Sequence, residues 1–418
     1  MSIDVSANEK FRDELRLWLG EHARPGVEVA ATSDDAEVLR EWQRDLHAGH
    51  WVGIHWPVEY GGRGASLTQV AIYNEELARA GSPPLLGRAG LTLVGPTLMA
   101  HGTDDQRARW MPRILGADDV WCQLFSESGA GSDLASLSTR ARKSGGVYRV
   151  TGQKVWSSYA TFADMGIALV RTDPDAPQHK GISMLAVPMD AKGVEVRPLR
   201  QMTGDCEFNE VFLDDVEIPV ENLIGPEHEG WRVANTTLGN ERGGSFVWKE
   251  QVLLENAVEL LAKACARQGR AGDACVRQQI AQSRIDVEIF RLHNARTLDR
   301  LARGEEIGAE SSIVKLFWAE ASQRLYDTAT NLLGSGALLG AGAGADAVDG
   351  GRWARGLLST RANSIMGGTS EIQRNIIGER VLGLPREPTA KRSDGAQRGV
   401  ASGRGAERGG DPEVREPR

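Results

Sequence analysis

The hydrophobic period of this chain changes twice, and that change limits its possible folds more than any other feature. From the N-terminus to about residue 120, apolar residues recur at helical spacing. Phe11, Leu15, Trp18 and Leu19 form one stripe, and Val38, Trp42 and Leu46 form another. A turn-rich link, Trp56 to Gly62, separates these from a helix expected over Leu67 to Arg79, with Glu75 and Glu76 on its polar side. Thr103 and Asp104 are placed to cap a basic helix that Pro112 is expected to interrupt. From Val120 to about Ile224 the pattern alternates instead. Tyr148 and Val150 oppose Val147, Arg149 and Thr151, and Val194 and Val196 oppose Glu195 and Arg197. Turns such as Gly145-Gly146 separate the runs, and Pro219 ends the last long one. From Gly230 onward the period is helical again, with Ile280, Val287, Phe290 and Leu301 on one stripe and Asn294 among them. A Gly/Ala-rich stretch, Leu332 to Gly351, interrupts the bundle, and a last helix runs from near Ser370 to Gly383.

These periods predict an α+β multidomain chain: an N-terminal helical domain over 1–119, a middle β domain over 120–228 and a C-terminal helical bundle over 229–386. Residues 387–418 are almost devoid of apolar side chains and read as a disordered tail.

Several function classes are excluded early. A net charge of -8 opposes a nucleic-acid partner. No apolar run approaches the ~20 residues needed to span a bilayer. The acidic, amphipathic N-terminus is unlike a signal peptide, and Cys122, Cys206, Cys265 and Cys275 lack metal-ligand spacing. A cytoplasmic protein with no structural metal is expected. His50, His55 and His101 are scattered without paired carboxylates, which points to ordinary packed or solvated histidines.

Two segments concentrate chemistry. Cys122 to Asp133 sets Gly129, Gly131, Ser126, Ser128 and Ser132 around Glu127, so that backbone N–H groups and hydroxyls can approach a flat or phosphorylated ligand. Gly152 to Tyr159 places Trp156 among polar residues on a strand, where an indole can cover a ring system. Taken alone, each reads equally well as a Gly/Ser-rich turn and an ordinary edge strand.

Together the two segments resemble the flavin signatures of the acyl-CoA dehydrogenase family: an acidic residue, one or two small residues and Ala-Gly-Ser-Asp, then Gly-Gln-Lys-x-Trp. Tyr60-Gly61-Gly62, His101-Gly102-Thr103, Met202 to Gly225 and Met366 to Pro385 extend the resemblance over nearly the whole chain except the tail. It implies the acyl-CoA dehydrogenase fold, a β domain between two helical ones. It also implies FAD as cofactor, an acyl-CoA substrate, and α,β-desaturation by α-proton abstraction with hydride transfer to FAD. An electron-transfer flavoprotein would be the acceptor, and the assembly a homotetramer or homodimer. Lipid degradation is the expected setting.

Carried over residue by residue, the resemblance assigns FAD contacts to Gln123, Phe125, Ser126, Trp156 and Ser158, and nucleotide contacts to Thr369 and Glu371. Ser132 would meet the CoA arm. The Gly368-to-Glu371 run is also an ordinary helix N-cap, and both readings can hold together. Many family members carry the catalytic Glu just before Gly-Thr-Ser, where this chain has Gly367. A minority place it on the first helix of the C-terminal bundle, before an arginine. Here Glu241 and Arg242 occupy that point, so Glu241 is the expected base and Arg242 a substrate contact.

The chain departs from the family in the segment that grips a neighbour's FAD pyrophosphate. Ala264 to Gln279 lacks Phe-Gly and offers Arg267, Arg270 or Arg277, and Asn331 stands where a Gln is usual. These departures fit a heteromeric enzyme in which two different chains complete one site, acting on steroid side chains or other bulky acyl groups. The alternatives are a flavin-dependent monooxygenase or oxidase on the same fold, and a partner subunit that serves another chain's site.

Overall fold

The computed structural model describes residues 5–23, 32–242, 245–305 and 308–386, without the side chains of residues 5 and 240–246. Five helices come first: α1 (Val5–His22), α2 (Ser33–Ala48), α3 (Leu67–Arg79), α4 (Gly95–His101) and α5 (Asp104–Leu115). Eight strands follow: β1 (Trp121–Leu124), β2 (Arg140–Ser144), β3 (Val147–Ser158), β4 (Met165–Arg171), β5 (Ile182–Pro188), β6 (Val194–Pro198), β7 (Phe208–Pro219) and β8 (Leu223–Ile224). The chain then returns to helices α6 (Gly230–Arg242), α7 (Ser245–Arg267), α8 (Ala274–Ala302), α9 (Ser311–Leu333), α10 (Arg352–Ser359) and α11 (Ser370–Ile376). No described helix is long and apolar enough to cross a membrane.

The helix starts follow local chemistry. Thr32, Ser66 and Thr103 each cap a helix, and the third residue onward, Asp35, Gln69 and Gln106, returns a side-chain bond to the cap. Pro112 does not interrupt α5, which runs on to Leu115. Only three residues follow it, and buried Trp110, Met111, Ile114 and Leu115 secure the final turn despite the missing N–H donor.

The strands form one mixed sheet in the order β6-β7-β3-β2-β4-β5-β8. β1 pairs in parallel with Met165 to Ala168 of β4, while β2 meets the same strand further on, at Arg171. The period of two sorts the side chains. Ala168 and Val170 of β4 join Tyr148, Val150, Val211 and Leu213 in a core within the β domain. Ile167 and Leu169 point the other way, into a core continuous with Trp42, Trp56 and Trp110 on one side and Trp248, Phe290 and Trp318 on the other. A strand buried on both faces reads as the unbroken run Met-Gly-Ile-Ala-Leu-Val.

Two expected surfaces are corrected. The buried face of α2 carries Leu39, Trp42, Gln43 and Leu46, and Val38 is exposed, one position around the helix from Leu39. Glu76 does not face solvent. It is 4% exposed, and Arg16 of α1 donates to both its oxygens, from Nε at 2.7 Å and Nη2 at 3.0 Å, with Arg12 beside them. Burial would raise this carboxyl, but the two guanidinium groups outweigh it and hold it below the usual range.

Glu76→Gln is therefore expected to cost about 1–2 kcal/mol in urea unfolding at neutral pH. Its pKa is depressed, so the contribution is complete above the unfolded value of about 4.3 and is lost as pH falls through the folded one. The gap between variant and parent should close in acid; a gap independent of pH would rule out the charged pair as its source.

Candidate active site

Lys154 on β3 is fully buried, and its ammonium donates to the Glu127 carboxylate at 2.9 Å and to the Phe125 carbonyl at 3.1 Å. Glu127 also accepts from Ser138 N–H and Oγ, both at 2.7 Å, and from Thr139 N–H at 2.9 Å. Burial alone would raise the Glu127 carboxyl, but Lys154 and these donors hold it down to about 2. Burial lowers the Lys154 ammonium to about 8, with Glu127 only partly opposing the change.

This ion pair ties the two signature segments together. Val155 N–H adds a bond to the Ser126 carbonyl at 2.9 Å. Glu127 and Ala130 exchange backbone bonds at 3.0 and 3.1 Å, closing a tight turn with Ser128 and Gly129 exposed at its tip. Gly129 and Gly131 have open space where a Cβ would stand. Gln123 and Ser126 are half-buried, Phe125 is buried, and Ser132 is exposed beyond the turn.

The β3–β7 register breaks between Lys154 and Ser157. Trp156 sits in that bulge with φ of 63°, a left-handed conformation that a bulky residue rarely adopts. Its indole is 61% exposed and touches the chain through the edge of Phe208, ring centres 5.9 Å apart. Ser158 is half-buried two residues on, while the buried Ser157 hydroxyl finds no partner among the described residues. An exposed tryptophan in a strained backbone is poor packing and a good lid for a flat ligand.

Thr369 and Glu371 lie at the start of α11. Thr369 Oγ1 accepts from Ile372 N–H at 3.3 Å, so it is a true N-cap, and Glu371 is exposed in the first turn. The loop before them is held by its carbonyls. Lys315 of α9 donates to Asn363 O at 2.8 Å and Gly368 O at 2.7 Å, and Gln373 donates to Gly367 O and Gly368 O at 3.1 and 3.2 Å. No hydrogen bond or ion pair among the described residues joins this loop to the Trp156 bulge. Gly367 adopts φ of +62°, so the position leaves room for a side chain but holds a backbone that favours glycine.

Glu241 and Arg242 end α6, and their side chains lie outside the described residues. Of the three candidate arginines, Arg267 pairs with Asp349, and Arg270 donates to the Leu332 carbonyl and lies 3.5 Å from Asp273. Arg277 is exposed in the first turn of α8. The middle domain is clamped to the bundle by Arg355 of α10, whose Nη1 donates to both Asp205 oxygens at 2.8 and 2.6 Å.

The sequence reading overlooked Lys154 and Lys315. Lys154 stood in the Gly-Gln-Lys signature next to Trp156, and its place on the inward side of an alternating strand was the available signal. Nothing local marked Lys315.

Family models match the chain along most of its length: the acyl-CoA dehydrogenase N-terminal domain at residues 6–118, the middle domain at 122–216 and the C-terminal domain at 228–382. The chain belongs to the acyl-CoA dehydrogenase family and is an oxidoreductase of that type. It is 38% identical over 396 residues to acyl-CoA dehydrogenase IpdE1 of Mycolicibacterium smegmatis, covering 91% of this chain and 98% of that one. Among solved structures, the ChsE4-ChsE5 complex from Mycobacterium tuberculosis is 31% identical with a TM-score of 0.79, covering 93% of this chain and 100% of that one. The Tcur3481-Tcur3483 steroid ACAD is 30% identical with a TM-score of 0.80, covering 92% and 99%.

Lys154→Met leaves Glu127 buried without its cation and is expected to cost about 3–5 kcal/mol in urea unfolding. Glu127→Gln with Lys154→Met should recover part of that loss, because no unpaired charge remains. Glu127 is held near 2, so its share of stability is complete above about 4.3 and fades as pH approaches 2. Simple additivity of the two single variants would refute the coupling.

Proposed function

We propose that this chain is an FAD-dependent acyl-CoA dehydrogenase in which Glu241 takes the α-proton of the thioester. The observation that carries the reading is the Trp156 bulge, an indole left exposed by a strained backbone that a buried ion pair fixes from behind. Gln123, Phe125, Ser126, Trp156 and Ser158 would hold the flavin, with Thr369 and Glu371 toward its nucleotide end. FAD, when bound, supplies the acceptor for the hydride that leaves the β-carbon.

The remaining chemistry belongs to the chain. Ser132, exposed past the Glu127 turn, would meet the CoA arm. Gly367 offers no carboxylate, and its left-handed backbone suits glycine better than glutamate. Glu241 ends α6, the first helix of the bundle, where the minority class of the family keeps its base. An acyl chain beside it would exclude water and raise its pKa toward working pH, as a general base requires. Arg242 would orient the substrate next to it. An electron-transfer flavoprotein would then receive the electrons.

Assembly with a second chain is part of this reading. Two of the similar solved structures bear the names of two-component proteins. Ile285, Ile289 and Leu292 form an exposed apolar stripe on α8, at the spacing of one helix face. Arg267 and Arg270 are engaged within their own chain, which leaves Arg277 as this chain's candidate for the pyrophosphate contact, with a partner chain supplying the rest.

Trp156→Gly relieves the strained φ and forfeits one edge contact, so stability should change by no more than about 1 kcal/mol. Flavin retention, read from the absorbance of the purified assembly, should fall sharply; a yellow protein of unchanged affinity would remove Trp156 from the site. Glu241→Gln should keep its flavin yet bleach with acyl-CoA at least ~10²–10⁴-fold more slowly under anaerobic conditions. An unaffected bleaching rate would exclude Glu241 as the base. Fast reoxidation of the reduced protein by oxygen would favour the monooxygenase or oxidase reading.

A further inference from the structure

From Trp156 to Tyr159 the backbone is left-handed at both ends, with φ of 63° and 54°. Neither residue is glycine, and such conformations persist only where the surroundings fix them. Ser157 and Ser158 lie between the two, paired with Asn209 and Phe208 of β7. Asn209 is fully buried, and its side chain reaches this segment from behind. Its Nδ2 donates to the Ser157 carbonyl at 2.9 Å and to the Glu207 carbonyl at 3.1 Å. Its Oδ1 accepts from Thr161 Oγ1 at 2.6 Å. Tyr159 N–H donates to the same Glu207 carbonyl at 2.8 Å. One side chain therefore grips the chain before Tyr159, after it, and on the segment that leads into β7.

The chemistry of the partners gives the amide a single orientation. Two carbonyls can face only its NH2 side, and the Thr161 hydroxyl supplies the donor for its oxygen side. Alternate residues of β7 turn inward, and those that follow Asn209 are Val211 and Leu213. An amide at such a position is costly unless its hydrogen bonds are made, and a leucine of similar size would fill the space without that cost. What the amide adds over leucine is direction. It holds the Ser157 carbonyl, one residue from Trp156 on one side and one residue from Ser158 on the other.

We infer that Asn209 is a positioning residue for the flavin, which keeps Trp156 and Ser158 in their binding arrangement before the ligand arrives. The inference rests on the flavin reading above and adds the residue that holds its platform in shape. Asn209 acts through the backbone of Ser157 and through Thr161. Without its amide, Trp156 and Tyr159 are free to relax toward ordinary φ. The fraction of protein ready to bind then falls, and the observed affinity falls by the same factor.

The test is FAD titration of the full-length protein, in its purified assembly, after its flavin has been removed. Urea unfolding reports whether each variant has folded. Asn209→Leu removes the amide at similar volume, and Asn209→Asp keeps the shape and the Thr161 bond but loses both donors. Each should raise the FAD dissociation constant about 10- to 100-fold. Both are then repeated in Trp156→Gly, where a glycine holds a left-handed φ without help. There the Asn209→Leu loss should be at least about threefold smaller, since the two changes act on one element. An unchanged constant in both single variants, or the same fold-loss in both backgrounds, would overturn the inference and leave the flavin reading standing. Should the Asn209 variants fail to fold, Thr161→Val, at an exposed position, loosens the same clamp. It should weaken FAD binding about 3- to 10-fold, and an unchanged constant there would overturn the inference equally. If the parent protein binds no FAD, the flavin reading fails first and the inference with it.

Discussion

Lys154 has no exposed surface, and its charge is tolerable only because Glu127 meets it at 2.9 Å. Moving an ammonium and a carboxylate out of water costs several kcal/mol each, even after the protein relaxes around them. The surroundings answer that cost with donors: Ser138 twice, Thr139 once, and Lys154 itself. The reward is geometric. Two segments that are far apart in sequence are held in one register, the Glu127 turn is closed, and the strand is forced into a bulge that turns Trp156 outward. A platform fixed this way loses little entropy when a ligand arrives.

The same logic works within the N-terminal domain and between the domains. Glu76 is drawn inward by Arg12 and Arg16, Asp205 is gripped by Arg355, and Gln106 donates to the carbonyls of Glu221 and Leu223, both at 2.8 Å. Behind these polar clasps a single apolar core runs from the N-terminal helices across one face of the sheet into the bundle. Hydrophobic burial supplies cohesion without direction, and the clasps fix which surfaces meet. The glycine at 367 belongs to that arrangement: its loop is pinned by Lys315 and Gln373 through backbone carbonyls, leaving no side chain to act as a base.

Much of the architecture was legible because it depends on period. A repeat near 3.6 and a repeat of 2 cannot be mistaken over long runs, so the helix–sheet–helix order and the inward Tyr148 and Val150 of β3 emerge from pattern alone. Errors came where a single residue was assigned to a face. Val38 and Leu39 differ by one position, and only packing against the rest of the domain decides which turns inward. Glu76 reads as a surface charge until Arg12 and Arg16 of a distant helix arrive beside it. Pro112 reads as a break until the buried side chains of the last turn are counted against one lost hydrogen bond.

The sequence by itself determined the period changes, the two signature segments, the absence of a carboxylate at Gly367 and the presence of one at Glu241. All of these are local facts, carried by residue type and spacing. Tertiary structure alone decided that Lys154 is buried against Glu127, that Trp156 is exposed in a left-handed backbone, and that Arg12 and Arg16 meet the buried Glu76. Burial and long-range charge depend on which distant segments the fold brings together, and no window of sequence contains both partners.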